Sequence, residues 1–283
     1  PMTMRIATEL PLKRAVVGGI ERVYEIGRVF RNEGVDSTHS PEFTTLECYE
    51  TYADQFVMAE RMKEIIQSCA KAVGTERIET ENGTIDLFGE WKWVGVYPGL
   101  SEAVGVEITP ETDASVLREI AEKHEVDIDP KWDAEKLVTE LFGEIVEPTL
   151  VNPTFVYDYP PSGQPLARPH RSGEPLLEAW DLIIGGMERG TAFSELIDPV
   201  IQRERMTAQS LLAAAGDDEA MELDGDFLRA LEHGAPPMGG LGLGIDRLIM
   251  LLAGDQDPER PGTVVRQPGI RETILFPLMK PEA

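Results

Sequence analysis

Residues 21–52 read ERVYEIGRVFRNEGVDSTHSPEFTTLECYETY. Two runs rich in Val, Tyr, Ile and Phe, at 21–31 and 43–52, flank a polar loop containing Gly34, Asp36, Ser37, Ser40 and Pro41. Alternating β-branched and aromatic residues broken by turn formers predict two strands paired as an antiparallel hairpin. Residues two apart in a strand share a face, so Phe43, Thr45, Glu47 and Tyr49 are predicted to point one way and Thr44, Leu46, Cys48 and Glu50 the other. The first set is a candidate ligand face. A buried carboxylate beside a phenol is costly unless a cation or donor completes it, so Glu47 and Tyr49 imply a bound ammonium group. Arg31 ends the first strand at the loop mouth, where a planar guanidinium holds a phosphate or carboxylate bidentately. Glu33 and His39 lie within the loop. Arg, Glu and His at this spacing, closed by Pro-Glu-Phe, suit a nucleotide triphosphate.

Outward from this hairpin, a helical period begins at Asp54, with Met58, Met62, Ile65, Ile66 and Cys69 on one stripe and Gly74 beyond the end. Asn82-Gly83 marks a turn. Residues 113–125 and 133–146 read as charged amphipathic helices, the second with Leu137, Leu141, Phe142 and Ile145 inward and Pro148 stopping it, so a helical insertion is expected over about 108–148. Strand patterns return at 154–159 and 180–184. Helices follow at 199–214 and 225–233 with an acidic loop at 216–224 between them, and 255–269 reads as an extra loop. Strands gathered around helices without regular alternation predict an α+β fold built on an antiparallel sheet rather than a doubly wound parallel one.

Two further constellations carry chemistry. Residues 180–196, WDLIIGGMERGTAFSEL, form two apolar strands joined by Gly185-Gly186, with Asp181, Glu188 and Glu195 on or beside them. Carboxylates among Ile, Leu and Phe call for a partner, and magnesium is the usual one near phosphates, so Asp181 and Glu188 are the metal candidates. Glu195, like Glu47, suits a substrate ammonium. In 240–247, GLGLGIDR, Gly240, Gly242 and Gly244 leave one strand face as bare backbone while Leu241, Leu243 and Ile245 fill the other, so a flat ligand can lie against it. The spacing matches neither a dinucleotide fingerprint nor a P-loop. Asp246 is predicted to open a helix that carries Arg247 in its first turn.

Composition sets the outer bounds. The 283 residues are 42% apolar and 27% charged, ordinary for a globular enzyme, and no run of about 18 apolar residues is available to span a membrane. No secretory leader pattern is present, so a cytoplasmic location is expected. Cys48 and Cys69 fit neither a disulfide framework nor a zinc site. A formal charge of -25 opposes a general grip on polyanions, so any nucleic-acid contact must be local. The chain runs from Pro1 straight into the pocket-like segment Arg5 to Leu10, which gives the expectation of a piece of a longer protein.

The combination is recognisable. Phe30-Arg31-Asn32-Glu33-Gly34 with His39-Ser40-Pro41-Glu42-Phe43 closely resembles motif 2 of the class II lysyl-tRNA synthetases, and Gly240 to Arg247 resembles their motif 3. The likeness extends to Arg5–Arg14, Pro165–Arg168, Glu188–Asp198 and Ile270–Pro277, and covers essentially the whole chain as one catalytic domain, 1–283. It implies the class II antiparallel fold, ATP bound in a bent form, lysine activated to lysyl-adenylate, and transfer to the 3' end of tRNA(Lys) by an enzyme that is a homodimer when complete. By resemblance, Glu9 receives the substrate α-amino group, and Arg31 bridges the substrate carboxylate and the α-phosphate. Glu47, Tyr49 and Glu195 hold the ε-ammonium with Phe193 nearby. Glu33, His39, Phe43 and Arg247 address ATP, with adenine between Phe43 and Arg247, and Asp181 and Glu188 take the Mg2+ positions. Asp181 stands where the family usually has Glu. Thr191 and Ala192 stand where Asn and Gly are common, and Thr191 bears on the lysine carboxylate. Motif 1, the loop that closes over lysine and the anticodon-binding β-barrel have no counterpart in these residues.

Three other readings compete with this one. A paralogue that lysylates a protein tends to carry Ala at the middle motif 3 glycine, where this chain has Gly242. The others are a lipid-directed lysyl transferase and an inactive, synthetase-like binding chain.

Overall fold

The computed structural model describes residues 4–32, 34, 36–214 and 223–277. A helix, α1 (Glu9–Val17), leads into the hairpin β1 (Arg22–Phe30) and β2 (Glu42–Thr51). The long helix α2 (Gln55–Val73) follows, then β3 (Arg77–Thr80), β4 (Gly83–Asp86) and β5 (Lys92–Gly95). Three helices come next, α3 (Val96–Val104), α4 (Ala114–Lys123) and α5 (Ala134–Ile145), then β6 (Thr154–Tyr157), β7 (Ala179–Ile183) and β8 (Glu188–Ser194). The remainder comprises α6 (Pro199–Ala214), α7 (Gly225–Glu232), β9 (Met238–Gly244), α8 (Ile245–Leu252), β10 (Asp255–Gln256), β11 (Thr263–Arg266) and α9 (Ile270–Thr273).

The principal sheet has seven strands in the order β1-β2-β9-β8-β7-β6-β5, antiparallel except for the β5–β6 pair. The α+β expectation holds, and the hairpin pairs from Arg22↔Glu50 to Phe30↔Glu42. The reason the chain sorts this way is its period: Leu241, Leu243 and Leu182 alternate toward one face of the sheet. There they meet the α2 stripe, with Met58, Met62 and Ile66 fully buried. Burying such side chains contributes roughly 1.5–3 kcal/mol each, which fixes which face of the sheet is left for ligand. α2 begins at Asp54, whose carboxylate accepts from the backbone N–H of Phe56 and Val57, and ends at the left-handed Gly74.

Beside the main core lies a second one, formed by α3, α4 and α5 against Val156, Tyr159 and Ile183. The predicted helices at 113–125 and 133–146 are α4 and α5, capped by Asp113 and Asp133. α3, which the sequence reading passed over, joins them. The Asn82-Gly83 turn is centred one residue earlier, since Thr80 pairs with Gly83. Residues 255–269 are not a loop: β10 and β11 join β3 and β4 in a four-stranded sheet, with Val264 fully buried opposite Ile78. The acidic stretch read at 216–224 falls mostly outside the described residues. Among the described residues no helix is long and apolar enough to cross a membrane.

Candidate active site

The face of the sheet away from α2 forms the floor of a cavity of about 350 Å³, within the range of small-molecule sites. Strand register arranges the floor in rows. Glu47 on β2 lies opposite Gly242 on β9, Gly242 opposite Thr191 on β8, and Thr191 opposite Asp181 on β7. The next row runs Tyr49, Gly240, Phe193, Ala179, and Thr45 lies opposite Gly244. Glycine in the middle of each row leaves a trough between the polar walls of β2 and β8.

Of the residues singled out from sequence, Glu9, Arg31, His39, Phe43, Glu47, Tyr49, Glu188, Thr191, Phe193, Glu195, Gly242, Gly244 and Arg247 all line this cavity. Asp181 does not line it. It shares the row of Glu47 but lies beside Tyr159 and Thr191, roughly 14 Å away across three strand spacings. Glu33 falls outside the described residues. The turn at Gly185 and Gly186, both at positive φ (66° and 68°), is the kind glycine favours, and it returns the chain from β7 to β8. A register shift between Leu182 and Ile183 then breaks the alternation of β8. Strict period two would send Glu188 to the core face with Gly190 and Ala192; instead its side chain is half exposed at the cavity.

One end of the trough is acidic and closed. Glu47 is buried, its Oε1 accepts from the backbone N–H of Thr8 at 3.4 Å, and its Oε2 has no hydrogen-bond partner among the described residues. Burial, then the charge of Glu9, pushes the Glu47 carboxyl up. Burial likewise pushes the Glu195 carboxyl up, and the Lys13 ammonium 2.5 Å away pulls it back down. The Tyr49 phenol, buried among Glu9, Glu195 and Glu47, is held well above its ordinary value and keeps its proton. Carboxylates gathered in a low-dielectric pocket repel one another until a cation enters.

The other end is basic and open. Arg31 Nε donates to the carbonyl of Ile6 at 3.2 Å, and its guanidinium lies 5.2 Å from the centre of the Phe43 ring. That contact covers one face of the ring expected to take adenine. Arg247 Nη2 is 3.2 Å from His39 Nε2, and Nη1 donates to the Glu188 carbonyl at 3.1 Å. A guanidinium only donates, so His39 accepts at Nε2 and turns Nδ1–H toward Asp36 Oδ2, 2.9 Å away. Asp36 also accepts from the backbone N–H of Thr38 and His39, both at 2.7 Å, which holds its carboxyl well below the usual range and shapes the loop. α8 starts at Ile245, one residue earlier than expected, so Ile245 leaves the strand. Asp246 Oδ2 accepts from Thr44 N–H at 2.6 Å and pins the helix to β2.

The sequence reading gave no role in the site to Asp36, Thr8, Asp246 or Lys13. Lys13 had a signal: it lies four residues after Glu9, one helical turn on the same face. Nothing local flagged the environment of Asp181. Its carboxylate is hydrogen-bonded by Thr191 and Tyr159, and burial followed by the charge of Glu188 raises it to about 7. Glu147 beside it is also raised to about 7. Among the described residues no group of three or more His, Cys, Asp or Glu is arranged to hold a metal.

An antiparallel sheet with a bare glycine strand, an arginine-bearing hairpin loop and a helix-borne arginine over the trough defines a class II aminoacyl-tRNA synthetase catalytic domain. The model of the class II tRNA synthetases (D, K and N) matches residues 1–280, and the chain belongs to that family. Among its relatives, the lysine--tRNA ligase of Kineococcus radiotolerans is 50% identical over 281 residues, which is 98% of this chain and 54% of the relative. The lysine--tRNA ligase of Mycolicibacterium gilvum is 52% identical over the same span. The lysylphosphatidylglycerol biosynthesis bifunctional protein LysX of Gordonia bronchialis is 48% identical over 98% of this chain and 24% of its own length. The chain thus spans about half the length of the ligases it matches and about a quarter of LysX.

Proposed function

We propose that this chain carries out ATP-dependent activation of L-lysine to lysyl-adenylate and passes the lysyl group to tRNA(Lys), as a lysine-tRNA ligase. The observation that carries the reading is the closed acidic end: Glu47, Glu195, Glu9 and Tyr49 line one space, in which burial and neighbouring carboxylates push Glu47 and Glu195 up. A substrate with two ammonium groups relieves that repulsion. Glu9 takes the α-ammonium, while Glu47, Tyr49 and Glu195 take the ε-ammonium, with Phe193 along the aliphatic stem. Arg31, at the junction of the acidic and basic ends, holds the carboxylate against the α-phosphate, with Thr191 beside it. Glu33, His39, Phe43 and Arg247 address ATP, which lies against the backbone of Gly242 and Gly244.

A carboxylate oxygen of lysine attacks the α-phosphorus in line. The C–O–P bond forms as the bond to the bridging β-phosphate oxygen breaks, and pyrophosphate leaves with the electron pair. Little proton transfer is needed, so positioning and neutralisation by Arg31 and Arg247 supply most of the acceleration. Of the two metal candidates Glu188 lines the cavity, and Asp181 lies next to it in the wall, raised by burial and then by the charge of Glu188, a charge that Mg2+ would offset. Bound there, the ion would neutralise phosphate charge. A homodimer in the cytoplasm, in which the complete protein works, is part of the same proposal.

The near-equal identity to the LysX proteins favours a second reading, in which the lysyl group goes on to a lipid. Incubating the protein with radiolabelled lysine and ATP, with either tRNA(Lys) or phosphatidylglycerol vesicles, tests both. Label on tRNA that survives without vesicles supports the first reading, and label on lipid supports the second.

A further inference from the structure

Lys13 does not line the cavity and is 1% exposed, yet it belongs to the cavity's electrostatics. Its Nζ donates to Glu9 Oε1 at 2.6 Å, lies 2.5 Å from Glu195 Oε2 as an ion pair without an aligned hydrogen bond, and sits 5.7 Å from the centre of the Tyr49 ring. One ammonium therefore ties together two carboxylates from distant parts of the chain, one on α1 and one just after β8. The other oxygen of Glu195 points at Gly240, where an added Cβ would overlap it. Glu47, the third carboxylate, forms no ion pair with Lys13 among the described residues, and its buried Oε2 has no hydrogen-bond partner there.

We infer that Lys13 is a positioning and specificity-setting residue for lysine: from behind the wall it clamps Glu9 and Glu195 at fixed separation and cancels one of the pocket's three negative charges. The remainder matches the two ammonium groups of lysine. This rests on the lysine-activating function proposed above. Without Lys13 the three carboxylates would carry one more uncompensated charge in a buried space, and such a site takes up protons or spreads apart rather than waiting for substrate. With it, the free oxygens of Glu9 and Glu195 are fixed before substrate arrives, which lowers the ordering entropy of binding. The burial of Lys13 opposes its charge, but the two carboxylates outweigh that effect and hold its proton on.

Calorimetric binding of L-lysine and of ATP with magnesium to the wild-type chain, Lys13→Met, Lys13→Gln and the Glu195→Gln single and double variants tests this. The expected result is a lysine Kd raised at least thirtyfold by either Lys13 substitution, with the ATP Kd changed less than threefold. In the Glu195→Gln background the same Lys13 substitution should have a much smaller effect, because its route to lysine is gone. Unchanged lysine affinity overturns the inference. So does parallel loss of lysine and ATP binding, or loss of cooperative melting in both Lys13 variants, since either marks a purely structural residue. Failure of the wild-type chain to bind lysine would instead overturn the functional reading on which the inference rests.

Discussion

Gly240 and Gly242 are the same residue type two positions apart on β9, and they do different work. A Cβ at Gly240 would overlap the Tyr49 ring and a Glu195 oxygen, so that glycine lets the acidic wall close. A Cβ at Gly242 meets only Glu47 Cγ and Thr191 Cγ2, both at 3.9 Å, and projects into the trough. Gly240→Ala is therefore expected to destabilise the protein by about 1–3 kcal/mol through overpacking and to abolish lysine binding. Gly242→Ala should melt within about 2 °C of the wild type, since its contacts are ordinary, while raising the lysine KM by roughly tenfold or more, about 1.4 kcal/mol of lost fit. Thermal melts paired with steady-state kinetics separate the two. The alternation of glycines was legible in the sequence, but it could not tell a packing glycine from a ligand-facing one. That distinction depends on which side chains stand on β2 and after β8.

Among the elements, the hairpin and α2 were legible because their signals are local: period two around a turn-rich loop, and a helical stripe between Asp54 and Gly74. What escaped was non-local. The strands in 255–269 exist because Val264 pairs beside Ile78, some 180 positions earlier, and no local pattern announces that. The exposure of Glu188 depends on a register shift between β7 and β8, and the environment of Asp181 on Tyr159 and Glu147, brought in from other parts of the chain. The start of α2 offers a test at this scale. Asp54 caps the helix and also receives Arg171 Nη2 at 3.1 Å, while Arg171 Nε holds the buried Glu178 at 2.6 Å. Asp54→Ala should cost about 1–2 kcal/mol, most of it from the lost cap, and lower the melting temperature by roughly 2–8 °C. It should leave ATP affinity unchanged, because Asp54 is not a cavity residue.

For the molecule as a whole, the acidic end of the cavity couples stability to ligand through protons. The Glu47 carboxyl, whose Oε2 has no hydrogen-bond partner among the described residues, is raised above its ordinary 4.5 by burial and then by the charge of Glu9. A raised carboxyl contributes stability that is fully present below the ordinary value and is lost as pH rises through the raised one. The ligand-free protein is thus expected to melt progressively lower as pH rises from the ordinary carboxylate value through the raised one. Lysine should restore the loss, because its ammonium favours the ionised form. Lysine affinity should accordingly rise with pH until Glu47 is ionised in the empty protein, by at most about tenfold per unit, with proton release on binding below that point. Calorimetry in two buffers of different ionisation enthalpy measures that release, and its absence would mean Glu47 is already ionised in the empty protein.

The central claim, that the trough joins ATP to lysine in particular, is tested most directly by ATP–pyrophosphate exchange measured with each of the twenty amino acids. The account predicts magnesium-dependent exchange with lysine, at least about a hundredfold less with every other amino acid, and loss of exchange in Glu47→Gln. Exchange supported equally by a neutral or acidic amino acid, or no exchange with lysine, would contradict it.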